Sequence, residues 1–170
     1  MGRSARVHAF LSAVAGLAAV AQTAAASARE TPSGLPVPRF VSVRDADAPC
    51  RIGPSRAHPT KYVFRKRGAP LLVVAETRDH WRKVRDVDGD ECWIFHTSLR
   101  AATHAISSKE CDLTGRPGGR GPVRARLAAG VMARVDRVRG DDVFVQVGAV
   151  RGWSALGDWW GAGAPAATGD

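Results

Sequence analysis

Apolar and polar residues alternate along several short stretches of the chain. Residues 131–135 and 143–147 place an apolar side chain at every second position, and Arg139-Gly140-Asp141-Asp142 lies between the two stretches. A period of two puts alternate side chains on opposite faces, so each stretch predicts a half-buried β-strand. The glycine-containing segment between them predicts a hairpin turn.

The preceding part of the chain has the same character. Strands are predicted over residues 71–77, 81–87 and 92–95, with turns at residues 78–80 and 88–90. After residue 28, no stretch keeps a helical period or a heptad pattern of apolar residues. Short strands separated by turns therefore predict an all-β protein built as a small barrel or sandwich.

Three landmarks recur in the same order, roughly 60 positions apart, which is the signature of a duplicated unit. Cys50-Arg51-Ile52-Gly53-Pro54 is echoed by Cys111-Asp112-Leu113-Thr114-Gly115, Gly68 by Gly130, and Glu91-Cys92-Trp93 by Arg151-Gly152-Trp153. This alignment matches Cys50 with Cys111. We therefore predict two tandem barrels, with the chain divided into a signal peptide (1–28), a linker (29–38), barrel 1 (39–104), barrel 2 (105–161) and a disordered tail (162–170).

The leader has the three parts of a secretory signal peptide. Arg3 and Arg6 precede an apolar run over residues 9–21, and Ala26-Ser27-Ala28 fits the A-x-A cleavage rule, with cleavage after Ala28. The apolar run is shorter than the roughly 20 residues that a membrane-spanning helix needs. We expect a periplasmic or secreted protein with no stable membrane insertion after cleavage, an uncleaved anchor being the alternative.

The charge balance favours anionic partners. The whole chain has a net charge of +9, and without Arg3 and Arg6 the remainder carries +7. A basic surface attracts nucleic acid, phospholipid head groups or cell-wall polymer, and export argues against nucleic acid. Because nearly all the basic residues are arginine, the same balance could also reflect genome composition.

The landmarks resemble the bacterial SH3 (SH3b) domain family, and in particular tandem SH3-like proteins of Gram-negative bacteria. The residues that carry the resemblance in the first copy include Arg51-Ile52-Gly53-Pro54, Tyr62-Val63-Phe64-Arg65, Gly68-Ala69-Pro70, Trp81-Arg82-Lys83-Val84-Arg85-Asp86 and Trp93-Ile94, and in the second copy Arg126-Leu127, Gly130-Val131 and Arg151-Gly152-Trp153. The resemblance implies two tandem small SH3-like β-barrels that act as binding modules. Two departures stand out: Cys92 replaces a glycine, and the second copy has only Asp142 or Val143 where the first has Trp81.

We expect the ligand to contact Tyr62, Trp81 and Trp93, because aromatic side chains give large, stiff contact areas with a polar edge. Arg65 and Arg82 belong to local basic clusters that could attract carboxylates or phosphates. Each of these candidates has a competing structural interpretation. For the tryptophans it is that they fill the barrel cores, and we favour it for Trp93 and for Trp153 of the second copy. For the arginines, it is that they are solvated loop charges.

Three cysteines, Cys50, Cys92 and Cys111, allow one disulfide in an exported protein, and the sequence does not decide the pairing. Their spacing fits no zinc motif, and we expect no metal or other cofactor. We also expect no catalysis, because the chain lacks a metalloprotease motif and a nucleophile elbow. A thiol enzyme using Cys92 with His80 or His96 is a weaker alternative.

Taken with the resemblance, export and charge predict a non-catalytic module that recognises peptidoglycan or its peptides in the cell envelope. The alternative is a protein-interaction or structural module that docks onto an envelope enzyme.

Overall fold

The computed structural model describes residues 31–165. The predicted signal peptide, its cleavage site at Ala28 and residues 166–170 of the predicted tail lie outside this range. Within it, the regular elements are β-strands and two three-residue 3-10 turns, which confirms the all-β prediction. None of the helical segments in this part of the chain has the length and hydropathy needed to cross a bilayer.

The first barrel is a seven-stranded antiparallel sheet with the spatial order β3-β2-β6-β5-β4-β1-β7. Its strands are β1 (Arg39–Val43), β2 (Ala48–Arg51), β3 (Thr60–Phe64), β4 (Pro70–Glu76), β5 (Trp81–Arg85), β6 (Glu91–Phe95) and β7 (Leu99–Ala101). The 3-10 turn at His96–Ser98 leads from β6 into β7.

The second barrel repeats this order strand for strand, as β10-β9-β13-β12-β11-β8-β14. Its strands are β8 (His104–Ser107), β9 (Cys111–Arg116), β10 (Arg120–Leu127), β11 (Met132–Arg139), β12 (Asp142–Val147), β13 (Val150–Ala155) and β14 (Trp159–Trp160). The 3-10 turn at Leu156–Asp158 matches the turn of the first barrel. An identical seven-strand order in two consecutive segments supports the predicted duplication.

The strand registers give a different equivalence for the cysteines from the one the sequence suggested. In the first barrel, Cys50 is bonded to Cys92 across β2 and β6. In the second barrel, Gly152 holds the position of Cys92, and its closest side-chain neighbour is Leu113. Cys50 therefore corresponds to Leu113, and Cys111 lies two residues earlier on its strand. The proposed match of Cys50 with Cys111 is wrong because short loop-length differences shift the spacing between copies along the chain.

Each barrel encloses its own small core, formed by the inward positions of the alternating strands. The first core contains Val43, Leu71, Val73, Val84 and Ile94 together with the disulfide. The second contains Ala105, Leu113, Val143, Val145 and Trp159. A domain of this size buries little apolar surface, so a disulfide is a substantial part of what stabilises the first barrel.

The two barrels meet through the short segment that joins them. The Thr103 amide donates to Ser42 Oγ at 3.0 Å, and the Thr103 carbonyl accepts from the Val135 amide at 2.9 Å. On the same side, the rings of Phe40 and Trp160 contact edge to face with centroids 5.2 Å apart. Hydrogen bonds to both barrels therefore hold the connecting segment in place.

The barrel boundaries lie close to those predicted from the sequence. His104, assigned to the end of the first barrel, begins the first strand of the second sheet. Ala162, assigned to the disordered tail, is buried and packs into the second core. The second barrel accordingly extends at least one residue beyond the predicted boundary.

Candidate functional site

The outer face of strands β5 and β6 carries the aromatic residues that the sequence pointed to. Cys92 and Ile94 point into the core, so Trp93 and Phe95 point outward. Trp81 lies opposite Phe95 and Lys83 opposite Trp93 in the antiparallel register. The two tryptophans therefore share one face of the sheet.

A pocket of about 220 Å³ opens at the end of this face. We call it the Trp81 groove; it is lined by Pro49, Arg51, Arg56, Trp81, Phe95, Thr97 and Ser98. The rings of Trp81 and Phe95 meet edge to face with centroids 5.4 Å apart. Because Trp81 is only 6 % exposed, it forms the floor of the groove rather than a free contact residue.

The loop between β2 and β3 holds Arg56 over this floor. The Arg56 guanidinium carbon lies 5.6 Å from the Phe95 ring centroid, within range of a cation–π contact. The loop is shaped by the His58 ring, whose Nδ1 is 2.8 Å from Ser55 Oγ. A Cβ at Gly53 would come within 2.4 Å of that ring, so glycine is needed for the loop to close.

The groove is electropositive. Among residues 31–165, neither Arg51 nor Arg56 has a carboxylate within 4.0 Å. Arg51 donates to the His58 carbonyl at 2.8 Å, which fixes its direction without neutralising it. An aromatic floor with two unneutralised guanidinium groups suits a ligand that carries a carboxylate beside an apolar group.

The second barrel does not reproduce the groove. Asp142 and Ala155 are paired at the positions that Trp81 and Phe95 hold in the first barrel. The Asp142 carboxylate accepts from the Gly118 amide at 2.9 Å, so it caps a turn instead. This agrees with the sequence, in which the second copy has no counterpart to Trp81.

The second barrel instead carries an aromatic pair further along the same face. Phe144 and Trp153 lie opposite each other with ring centroids 5.1 Å apart, and the Arg137 guanidinium carbon is 5.0 Å from the Phe144 centroid. Trp93 and Trp153 are both half-buried on the outer face and belong to neither core. The interpretation that these tryptophans fill the cores is therefore wrong.

The five predicted ligand-contact residues do not form one surface. Trp81 and Trp93 share the outer face, whereas Tyr62 packs against the core. Arg82 is 7 % exposed and points to the inner side, where its Nε lies 2.9 Å from Glu76 Oε1. Arg65 is exposed and paired with Asp47 at 2.6 Å. The groove residues Arg56 and Phe95 were missed, although Phe95 lies two positions after Trp93 and so had to share its face.

Tyr62 offers a direct test of this placement. Burial, followed by the nearby charges of Asp86 and Asp90, raises the pKa of Tyr62 to about 12. It is the single tyrosine of the chain, so absorbance at the phenolate band reports on it alone.

We expect a pH titration of the folded protein to give a midpoint about two pH units above that of the denatured chain. Because the raised pKa favours the neutral phenol in the folded state, the contribution of Tyr62 to stability is complete below pH 10 and falls as the pH rises towards 12. Asp86→Asn should move the midpoint downward. A midpoint at the ordinary tyrosine value in the folded protein would show that Tyr62 is solvated.

The remaining side chains with reactive groups are the cysteines and the acidic residues between β5 and β6. Cys92, the cysteine nearest His96 in sequence, is bonded to Cys50, and burial raises the pKa of the free Cys111 thiol. In the turn between β5 and β6, the Asp86 carboxylate accepts hydrogen bonds from the backbone amides of Asp88 and Asp90. Within residues 31–165, no group of three or more His, Cys, Asp or Glu side chains is placed to hold a metal ion.

Comparison with known proteins identifies the first barrel. Residues 44–100 match the family model described as "Bacterial SH3 domain". No curated protein matches the chain. Among solved structures, the chain is similar to NlpC2 from Trichomonas vaginalis (12 % identity, TM-score 0.32, 72 % of this chain and 47 % of that one) and to NlpC1 from the same organism (13 % identity, TM-score 0.32, 72 % and 45 %). The chain thus spans about half the length of either structure.

Proposed function

We propose that this chain is an exported, non-catalytic protein of the cell envelope that recognises peptidoglycan stem peptides. The match of residues 44–100 to the bacterial SH3 domain model supports a role in binding. The Trp81 groove of the first barrel is the binding site in this proposal. The observation that carries it is that Arg51 and Arg56, free of carboxylate partners in the described residues, line the same pocket as Trp81 and Phe95, with Arg56 over the Phe95 ring.

The chemistry of the groove fits that ligand class. Stem peptides are short, carry several carboxylates and present small apolar side chains. A guanidinium group can bind a carboxylate with two parallel hydrogen bonds, and an aromatic floor accepts the neighbouring methyl group. The groove is also short, which suits a ligand of a few residues better than a protein surface.

Export and lack of catalysis are parts of the same proposal. The leader over residues 1–28 supports export, and a net charge of +7 on the remainder supports attraction to an anionic wall. The engagement of Cys92 in the disulfide removes the thiolate that the thiol-enzyme alternative requires. Docking onto an envelope enzyme remains the second function, and it predicts no affinity for bare peptidoglycan.

Co-sedimentation with purified sacculi tests the proposal. We expect residues 29–170, prepared under oxidising conditions, to sediment with sacculi at low salt. Arg56→Gln should lower the affinity at least tenfold, since a charge-assisted hydrogen bond contributes roughly 1.5–3 kcal/mol.

Arg137→Gln is the matched control, because Arg137 also lies over an aromatic ring but in the second barrel. It should leave the affinity within about twofold of wild type if only the groove binds. Wild-type protein that stays in the supernatant would overturn the proposal. An equal loss for both variants would show that overall charge, not the groove, holds the protein on the wall.

A further inference from the structure

A second cavity of about 330 Å³ lies in the first barrel between its N-terminal segment, β1 and β7. It shares no lining residue with the Trp81 groove. Its apolar wall includes Leu35, Phe40, Val73 and Leu99. Leu35 is 53 % exposed, so part of this apolar wall is open to solvent. We call this space the Arg100 cavity.

Three arginines line the cavity, and among residues 31–165 Glu76 is the one carboxylate within 4.0 Å of any of them. Arg39 and Arg82 both contact Glu76, whose side chain is fully buried. Burial acts to raise the pKa of the Glu76 carboxyl, but hydrogen bonds from Ser33 and Arg39 outweigh it and hold the pKa below its ordinary value. Glu76 is therefore ionised at neutral pH. The three arginines and Glu76 together still carry a net positive charge.

Arg100 is the cavity arginine that forms no ion pair among residues 31–165. Its Nε is buried and makes no hydrogen bond, and no carboxylate among residues 31–165 lies within 4.0 Å of it. Buried polar groups are nearly always paired in native proteins, so an unpaired guanidinium nitrogen beside a cavity calls for an explanation. Burial is the main cause that lowers the pKa of the neighbouring His96, followed by the charges of His80, Arg82 and Arg44. His96 is therefore neutral at neutral pH, and the positive charge at the cavity comes from its arginines.

We propose that the Arg100 cavity is a second binding site, which takes a single carboxylate attached to a short apolar group. One unpaired guanidinium matches one carboxylate, since Arg39 and Arg82 already share Glu76. The exposed apolar wall accepts the rest of the ligand, and the volume is at the lower end of small-molecule sites. Such a carboxylate could be the free C-terminus of a peptide or a short fatty acid. The proposal does not depend on the function assigned to the Trp81 groove.

Ligands that share an alkyl chain and differ in the head group test the inference. Residues 29–170 would be titrated with octanoate, octanol and octylamine while the amide signals of Leu99–Ala102 are followed by NMR, and acetyl-Ala-Ala would replace octanoate in a second arm. We expect octanoate to bind at least tenfold more tightly than octanol or octylamine. Tighter binding of acetyl-Ala-Ala would identify a peptide end as the source, and tighter binding of octanoate would identify a fatty acid.

Two variants locate the binding. Arg100→Met should weaken octanoate binding at least tenfold with an unchanged melting temperature, because Arg100 has no ion pair to lose. Ala102→Phe, at an exposed position on the cavity wall, should block it sterically. Arg137→Gln, in the second barrel and outside both sites, should leave the octanoate-dependent shifts of Leu99–Ala102 unchanged. Equal affinity for octanol and octanoate, an absence of binding, or retained binding in both cavity variants would overturn the inference, whatever happens on sacculi.

Discussion

Replacing both Cys50 and Cys92 with alanine is expected to lower the free energy of unfolding of the first barrel by about 4 kcal/mol. The disulfide closes a segment with a sequence separation of 42, and the entropy that it removes from the unfolded chain grows with that length. A domain of this size is stabilised by only several kcal/mol. The double variant should therefore be largely unfolded in its first half at physiological temperature.

Chemical denaturation followed by tryptophan fluorescence measures this loss. Cys111→Ala is the control, since it removes a buried sulfur that takes part in no disulfide. We expect that control to lose about 1 kcal/mol. A double variant no less stable than Cys111→Ala would contradict the account of how the first barrel is held together.

Gly152→Ala is expected to destabilise the second barrel by about 2–3 kcal/mol through overpacking. A Cβ at this position would lie 2.7 Å from the Leu113 Cβ and 3.1 Å from two backbone atoms of β9. These neighbours belong to a buried strand and cannot move aside easily. In the first barrel, the positions equivalent to Leu113 and Gly152 hold Cys50 and Cys92, which are joined by the disulfide.

Gly157→Ala provides the matched control, because a Cβ at Gly157 meets no atom within 4 Å. Thermal unfolding of the two variants should differ by several degrees. If Gly152→Ala has the same melting temperature as wild type, β9 and β13 do not pack as closely as described. The equivalence of Gly152 with Cys92 would then lose its basis.

The sequence was sufficient to predict most of the fold, because strand alternation and turn residues are local signals. The predicted strand at 81–87 is observed as Trp81–Arg85, and the predicted turn at Arg139–Asp142 joins β11 to β12. The bacterial SH3 resemblance holds for residues 44–100. The order of the strands within each sheet could not be obtained from alternation alone, because alternation indicates the faces of a strand and not its neighbours.

The candidate site was less predictable, because a residue's face depends on register as well as on composition. Tyr62 on β3 and Trp81 on β5 are both aromatic residues of the first barrel. Tyr62 nevertheless points to the core, whereas Trp81 points to the groove. Arg82 follows Trp81 directly and therefore points the opposite way. Arg56 lies in a loop, where no periodicity indicates its direction. The cysteine equivalence failed for a related reason, since a shift of two residues keeps a side chain on the same face and changes only its neighbour.

The two barrels also give the proposed function an internal control. They share one strand order, but only the first has the Trp81–Phe95 floor, and the second has Asp142 and Ala155 in its place. If the binding function resides in the groove, one half of the molecule should respond to a ligand and the other half should not.

Chemical-shift mapping of residues 29–170 with a purified soluble muropeptide tests this most directly. We predict saturable shifts of the Trp81 indole and of the backbone amides of Arg56, Phe95 and Ser98, with Asp142 and Ala155 unmoved. Shifts that centre on Phe144 and Trp153, that spread equally over both barrels, or that never appear would contradict the account.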